Sequence, residues 1–296
     1  MAVLFPPSPD GPTDRRRFLK SGLLGAVGLA VYSGEVERHW IDITRHEFFL
    51  KDLPEGFEGM RIVQLSDIHM DEYTEPFFLR EVVRKVNQLK PDAVFLTGDY
   101  ISVGPRSRHF AIRASWHCAQ ILDGLECRQR YAVLGNHDYA AGSGEISEAL
   151  SSHGIRMLNN RAIPLERNGA RIWLAGMIDP LNCNPRPDLA IPEAIRNRRN
   201  EPVVLLCHAP DFADPLLRTA EGRSVSLMLS GHTHGGQVHL PFMGPLTLPV
   251  MGKKYVHGWY RLEQMQLYVN RGIGTVGIPF RFNCPPEITA FALRKL

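Results

Sequence analysis

Five times along the chain a short apolar run stops on acidic, imidazole or amide side chains. Residues 61–65 run into Ser66-Asp67-Ile68-His69, residues 93–96 into Thr97-Gly98-Asp99, and residues 131–134 into Gly135-Asn136-His137-Asp138. Residues 203–206 run into Cys207-His208, and residues 225–229 into Ser230-Gly231-His232-Thr233-His234. Between the first three runs the apolar period changes to that of a helix. Leu79, Val82, Val83, Val86 and Leu89 fall on one face of a stretch over 76–89, and 107–125 reads as a second helix. Strand, helix and strand in this order specify parallel pairing by crossover, and hence an α/β layered domain. In such a sheet the carboxyl ends of the strands line the ligand crevice, so five polar clusters are delivered to one rim.

The second half holds enough extended segments for a second sheet. Asn168-Gly169 joins 162–165 to 171–175 as a hairpin, and a short helix is expected between 203–206 and 225–229. Alternating stretches over 255–261 and 266–269 and a last strand over 288–293 complete the set. Neither a repeat nor a linker interrupts the chain after residue 45, so residues 45–296 read as one domain. A chain of 296 residues can bury a substantial core, and 44% hydrophobic with 22% charged residues excludes a disordered, collagen-like or coiled-coil protein. The net charge of +3 gives no basic face for nucleic acid, and none is expected as a partner. Cys118, Cys127, Cys183, Cys207 and Cys284 include no Cys-x-x-Cys pair, which leaves packed free thiols rather than a disulfide framework or a thiolate zinc knuckle.

Residues 1–44 read as an address rather than a fold. Arg15-Arg16-Arg17-Phe18-Leu19-Lys20 precedes an uncharged run over 21–34. That run falls short of the roughly 20 apolar residues of a spanning helix but suits the apolar region of a signal peptide. Its Arg-Arg-x-Phe-Leu-Lys resembles the twin-arginine export signal, which is read by a receptor. Gly28-Leu29-Ala30 and Val31-Tyr32-Ser33 are both poor small-x-small cleavage sites, so the segment is read either as a removable signal or as a membrane tether. The expectation is export through the twin-arginine machinery to the periplasm or cell envelope, with a peripheral membrane contact.

The strand-end donors are carboxylates, imidazoles and one amide oxygen, a set that suits borderline-to-hard divalent ions such as Mn, Fe or Zn. A lone His is usually a satisfied core residue and a Gly-Asp usually a turn. The weight lies in five such clusters, each behind an apolar strand. Asp67 and His69, like His232 and His234, stand at i and i+2, and where the chain is still extended such pairs share a face.

In this order Asp-x-His, Gly-Asp, Gly-Asn-His-Asp, His and Gly-His-x-His resemble the signature blocks of the calcineurin-like metallophosphoesterase family. The longer Gly231-His232-Thr233-His234-Gly235-Gly236-Gln237 and Arg271-Gly272-Ile273-Gly274 resemble its bacterial exported or membrane-associated branch. The resemblance spans residues 45–296 and implies the metallophosphatase fold, a four-layer α/β/β/α sandwich of two mixed sheets. It also implies two divalent metal ions, Mn first and Fe or Zn as alternatives. Asp67, His69, Asp99 and His234 would hold one ion, and Asp99 would bridge to a second completed by Asn136, His208 and His232. Cations about 3.5–4 Å apart repel each other, so a shared carboxylate and a shared hydroxide are needed between them. Coordination lowers the pKa of water toward about 7, and the implied reaction is in-line attack of that hydroxide on phosphorus. His137 is implied to stabilise the transition state or protonate the leaving oxygen, with Asp138 orienting its ring.

The substrate expected from this resemblance is a small-molecule or lipid-linked phosphodiester of the envelope. Residues 235–252, rich in Gly and Pro, read either as a rim that grips an apolar tail, with Lys253-Lys254 attracting an anionic headgroup, or as a loop folded over the sheet edge. The loop is the preferred reading. Arg271 and Arg281 read either as contacts to substrate phosphate or as exposed guanidinium groups. One rival function is cleavage of the pyrophosphate in UDP-2,3-diacylglucosamine during lipid A synthesis, a cytoplasmic-face reaction that cleaved export would count against and an inward-facing tether would leave open. Another, from a different class, is a non-catalytic scaffold of the same fold. Relatives of that kind usually lose ligands, whereas this chain keeps every one.

Overall fold

In chain order the strands of the computed structural model are β1 (Asp42–Leu50), β2 (Arg61–Leu65), β3 (Ala93–Leu96), β4 (Arg130–Ala132), β5 (Arg156–Met157), β6 (Arg161–Arg167) and β7 (Ala170–Gly176). They continue as β8 (Val203–Leu206), β9 (Val225–Ser230), β10 (His239–Leu240), β11 (Gly244–Pro245), β12 (Gly258–Leu262), β13 (Met265–Val269) and β14 (Glu287–Lys295). The helices are α1 (Pro12–Val31), α2 (Pro76–Leu89), α3 (Arg108–Leu122), α4 (Asn136–Ser152), α5 (Pro187–Ala190) and α6 (Ala213–Leu217). The structure describes residues 12–70, 74–104, 108–196 and 198–296.

Two six-stranded sheets form, ordered β1-β14-β2-β3-β4-β5 and β12-β13-β9-β8-β7-β6, with β10 and β11 as a separate pair. Both sheets are mixed. β2 to β5 run parallel with β14 antiparallel beside them, and β7, β8, β9 and β13 run parallel between antiparallel β6 and β12. Every residue of β3 and β8 is buried. Their unbroken apolar sequences suit strands that are covered on both faces.

Three apolar layers separate the elements. Val63, Leu65, Val94 and Leu96 meet Leu79, Val82 and Val86 of α2 on the outer face of the first sheet. Ile62 and Phe95, one position away in the pleat, meet Val204, Leu206, Leu227 and Leu229 between the sheets. Leu205, Met228 and Leu267 meet Ala213 and Leu216 of α6 beyond the second sheet. The result is the expected α/β/β/α sandwich in a single domain. α2 opens with Pro76 at its first position and ends where Lys90 turns left-handed (φ 48°), so its apolar stripe over 78–86 lies on the sheet.

Packed structure begins before residue 45. The expected boundary falls inside β1, which pairs in parallel with β14 over Asp42↔Glu287 to Leu50↔Lys295. Ser33, Gly34, Glu37 and Arg38 are already buried. The Arg281 N–H donates to Ser33 O at 3.0 Å, the Cys284 N–H donates to the Glu37 carboxylate at 2.7 Å, and Arg38 pairs with Glu75 at 2.6 Å. Residues 15–31 of α1 stand exposed, and residues 1–11 of the expected leader lie outside the described residues. No helix among the described residues is long and apolar enough to cross a membrane. The helix expected over 107–125 is observed as α3, residue 107 lying outside the described residues, and the five cysteines are free thiols.

Candidate metal centre

The five strand tips meet at one end of the two sheets. β2, β3 and β4 are neighbours in the first sheet and β8 and β9 in the second, so parallel pairing gathers the carboxyl ends within each sheet and the packing of the sheets joins the two groups. The chain does not leave these strands extended. Asp67 (φ 50°), His69 (48°), Asp99 (56°), His232 (73°) and His234 (52°) all have left-handed backbone. Such a conformation costs a non-glycine residue about 1–3 kcal/mol and persists where its surroundings enforce it. The expectation that Asp67 with His69, and His232 with His234, share a strand face is therefore corrected. Kinks beyond the strand ends, rather than pleat alternation, place these pairs.

Backbone bonds between tips enforce the kinks. The Asp67 N–H donates to Gly98 O at 2.9 Å, the His69 N–H to Asp99 O at 3.0 Å, and the Gly231 N–H to His208 O at 3.1 Å. Gly98 (φ 101°) allows a close approach between the tips. A Cβ there would stand 2.5 Å from Gly135 N and 2.9 Å from His208 Nδ1.

Three sets of side chains place potential ligand atoms within 4.8 Å of one another: Asp67, His69 and His234; His69, Asp99 and His137; and Asp99, His208 and His232. Asp99 belongs to two of them. Its Oδ2 lies 3.2 Å from His208 Nε2 and 3.6 Å from His69 Nε2, while its Oδ1 accepts the His137 N–H at 2.9 Å. Asp67 Oδ1 lies 3.5 Å from His234 Nε2, and the same carboxylate accepts the His232 N–H. Asn136 Oδ1 lies 3.2 Å from His208 Nε2.

The rings are held by their other nitrogens. His208 Nδ1 donates to Thr97 O and His232 Nε2 to Val250 O, both at 2.8 Å. A carbonyl only accepts, so each ring carries a proton there, and the opposite nitrogen is the one left for a ligand role. His69 Nδ1 lies 2.9 Å from Ser102 Oγ, and His69 Nε2 and His234 Nε2 converge to 2.9 Å. His234 Nδ1 is buried with no hydrogen-bond partner among the described residues.

Burial pushes His69 and His234 well below the usual imidazole pKa, which keeps both neutral and free to act as ligands. At His208 burial also opposes the charged form, but the Asp99 carboxylate beside it prevails and holds the ring up at about 10. Burial likewise opposes the Asp99 anion, and His208 holds it well below the usual carboxylate range. Imidazoles, buried carboxylates and an amide oxygen make a donor set that fits divalent cations. The membership of Asp99 in two ligand sets fits a pair of them.

His137 is half-buried beside this cluster, its Nδ1 accepting the Val103 N–H at 2.9 Å. Asp138 does not hold that ring, which corrects the role the resemblance implied. Its Oδ2 accepts the N–H groups of Asp99 (2.8 Å) and Gly135 (2.9 Å) and its Oδ1 that of Tyr100 (2.9 Å). Its place in the first turn of α4 turns the carboxylate back onto free backbone N–H groups. Burial and the neighbouring Asp99 charge push the Asp138 carboxyl up.

Four supporting groups were not expected: Ser102, the Val103 N–H, Asp179 and Asn182. Asp179 is fully buried just past β7, and its Oδ2 accepts the Asn182 N–H at 2.9 Å. Asn182 Nδ2 in turn donates to Asn136 O at 2.9 Å. The strand-tip pattern that marked the candidate ligands applies equally to β7, whose run ends at Met177-Ile178-Asp179.

A cavity of about 420 Å³ adjoins the cluster, lined by Asp99, Asn136, His137, His232 and His234 and by apolar residues that include Leu246, Leu248 and Pro249. Part of the 235–252 segment therefore serves as cavity wall, against the preferred reading of a loop over the sheet edge. Lys254 Nζ pairs with Asp214 at 2.7 Å. Both readings of Arg281 fail, because it is fully buried and donates to the carbonyls of Gly274, Cys284, Arg271 and Gly272. Arg271 pairs with Glu287 at 2.9 Å and Asp42 at 2.7 Å.

Comparison with known proteins agrees with this geometry. The model of the calcineurin-like phosphoesterase family matches residues 60–236. An uncharacterized metallophosphoesterase of Bacillus subtilis, YkuE, is 35% identical over 95% of this chain and 98% of its own length. The phosphodiesterase YaeI of Escherichia coli is 31% identical over 94% of this chain and 98% of its own. The UDP-2,3-diacylglucosamine pyrophosphatase LpxG of Chlamydia trachomatis is 27% identical over 87% and 91%. Among solved structures the Haemophilus influenzae NAD nucleotidase NadN shares the fold at a TM-score of 0.50 and 15% identity, over 72% of this chain and 45% of that longer one.

Proposed function

This chain belongs to the calcineurin-like phosphoesterase family, and we propose that it is a phosphodiesterase working with two divalent metal ions, Mn first among them, at the strand-tip cluster. One observation carries the reading: a single oxygen, Asp99 Oδ2, faces His208 Nε2 at 3.2 Å and His69 Nε2 at 3.6 Å. Asp67, His69, Asp99 and His234 would hold one ion, and Asp99, Asn136, His208 and His232 the other. Bound there, the ions would polarise phosphoryl oxygens and lower the pKa of water toward about 7, which supplies the nucleophile.

The chain's own groups do the rest. Carbonyls of Thr97 and Val250 fix the His208 and His232 rings, so the ligand nitrogens need no reorganisation. Because the Val103 N–H occupies His137 Nδ1, the ring proton sits on Nε2. From the cavity lining that proton can be donated to a phosphoryl or leaving oxygen. The phosphodiesterase name of the Escherichia coli relative supports the substrate class, and an envelope or lipid-linked diester is the form proposed.

Arg15 to Lys20 and the exposed α1 support an exported protein carrying a twin-arginine-type leader, located in the periplasm or at the envelope membrane. A second reading, pyrophosphate cleavage in UDP-2,3-diacylglucosamine, is favoured by the Chlamydia relative. A non-catalytic scaffold is disfavoured by the intact donor set. The test is hydrolysis of bis(p-nitrophenyl) phosphate by the purified full chain with Mn. Turnover that chelation and Asp99→Ala both abolish supports the proposal, whereas turnover that survives both contradicts it.

A further inference from the structure

The charge around the cavity is as informative as its shape. Among the described residues that line it there is no lysine or arginine. Three nearby cations are committed elsewhere: Arg281 to four backbone carbonyls, Arg271 to Glu287 and Asp42, and Lys254 to Asp214, while Lys253 is exposed and not among the lining residues. His239, at the edge of the same segment, turns its Nε2 onto Gly235 O. Beyond the metal cluster the walls are mostly apolar, with Leu246, Leu248, Val276 and Ile278 prominent and Thr233, Gln237 and Thr247 the polar side chains among them.

Two consequences follow from elementary electrostatics and hydration. A phosphomonoester dianion or a nucleoside diphosphate brings more charge than one phosphodiester. Here the excess would face a mostly apolar wall with no guanidinium or ammonium group among the described lining residues to meet it. A diester brings one negative charge, which two cations can take up, and each methylene of its substituent placed on the apolar walls gains up to about 0.8 kcal/mol. Ile278 (48% exposed) and Leu246 (55% exposed) continue the apolar surface from the cavity to solvent, so a chain longer than the cavity can leave along them.

We propose that this site selects a phosphodiester monoanion bearing a long alkyl or acyl-chain substituent. Leu246, Leu248, Val276 and Ile278 read that chain, and the lack of cationic side chains among the described lining residues disfavours monoesters and nucleotide pyrophosphates. This rests on the phosphodiesterase reading and narrows it. In the reaction the water oxygen forms a bond to phosphorus as the bond to one ester oxygen breaks. The departing oxygen takes the water's proton, and the products are an alcohol and a monoester that keeps the chain.

The test uses the full chain loaded with Mn and a series of p-nitrophenyl alkyl phosphates from methyl to octyl, with p-nitrophenyl phosphate as the monoester. The expected result is a kcat/KM that rises with chain length by on the order of 10²-fold across the series, with the monoester poorest. Leu248→Ser should bring the octyl-to-methyl ratio toward one. Leu246→Lys, at a half-exposed position that tolerates change, should raise the monoester relative to the methyl diester. Diester hydrolysis with a flat chain-length profile, or a preference for the monoester, overturns this inference and leaves the phosphodiesterase reading standing. Failure to cleave any aryl diester with Mn, Fe or Zn overturns that reading as well.

Discussion

The backbone N–H of Val103 donates to His137 Nδ1 at 2.9 Å. Because that hydrogen bond occupies the Nδ1 lone pair, the ring keeps its proton on Nε2, and the neighbouring Asp138 carboxylate has no part in setting it.

His137→Ala should therefore bind metal as the parent chain does, yet lose turnover by about 10²–10⁴-fold, the range for a removed proton-transfer group. Metal content measured beside kcat checks this. Loss of metal would make His137 a ligand instead.

Asp179 and Asn182 reach the cluster through Asn136, whose carbonyl accepts Asn182 Nδ2 at 2.9 Å. Outer groups of this kind typically change metal affinity by about 10–100-fold. Asp179→Ala, which frees the whole turn, is expected in that range, and Asn182→Ala, which removes only the tether, below it. Titration of the metal-stripped chain with Mn reads both.

Gly98→Ala would set a Cβ 2.5 Å from Gly135 N on a backbone with φ 101°. Strain of about 1–3 kcal/mol is expected from the conformation alone, and parting the tips of β3 and β4 should also weaken metal binding. Thermal unfolding with and without Mn separates the two effects.

Glu287, buried where β14 starts, accepts Thr44 Oγ1 at 2.6 Å and pairs with Arg271 at 2.9 Å. Burial works against its anion, but Arg271 and the hydroxyl donors hold its pKa below the ordinary 4.5. The unfolded chain then binds a proton more readily than the folded one, so this stabilisation is complete above the ordinary value and lost as pH falls through the lower folded one. Glu287→Gln should cost about 3 kcal/mol near neutral pH, since it leaves Arg271 partly uncompensated. Urea unfolding at neutral and acid pH should show the gap to the parent closing as pH falls.

How much of this was legible depends on where each residue's partners come from. β2, α2, β3 and β8 have the bounds expected from sequence, because each is fixed by its own apolar pattern. β1 was missed because Asp42, Arg45, His46 and Glu47 interrupt its apolar period, and only its nine-residue register with β14 makes it a strand. The types and order of the candidate ligands were legible, since strand tips converge by topology. The left-handed turns at Asp67, His69, Asp99, His232 and His234 were not, because contacts between tips impose them on residues with no glycine to announce it. Arg281 looked like a surface or substrate-facing cation because backbone carbonyls, its partners here, leave no mark in a sequence.

The most direct measurement is anomalous scattering from crystals of the Mn-loaded chain. Two peaks about 3.5–4 Å apart, one on either side of Asp99, are expected. A single peak, or a second ion bound away from Asp99, would contradict a paired metal centre.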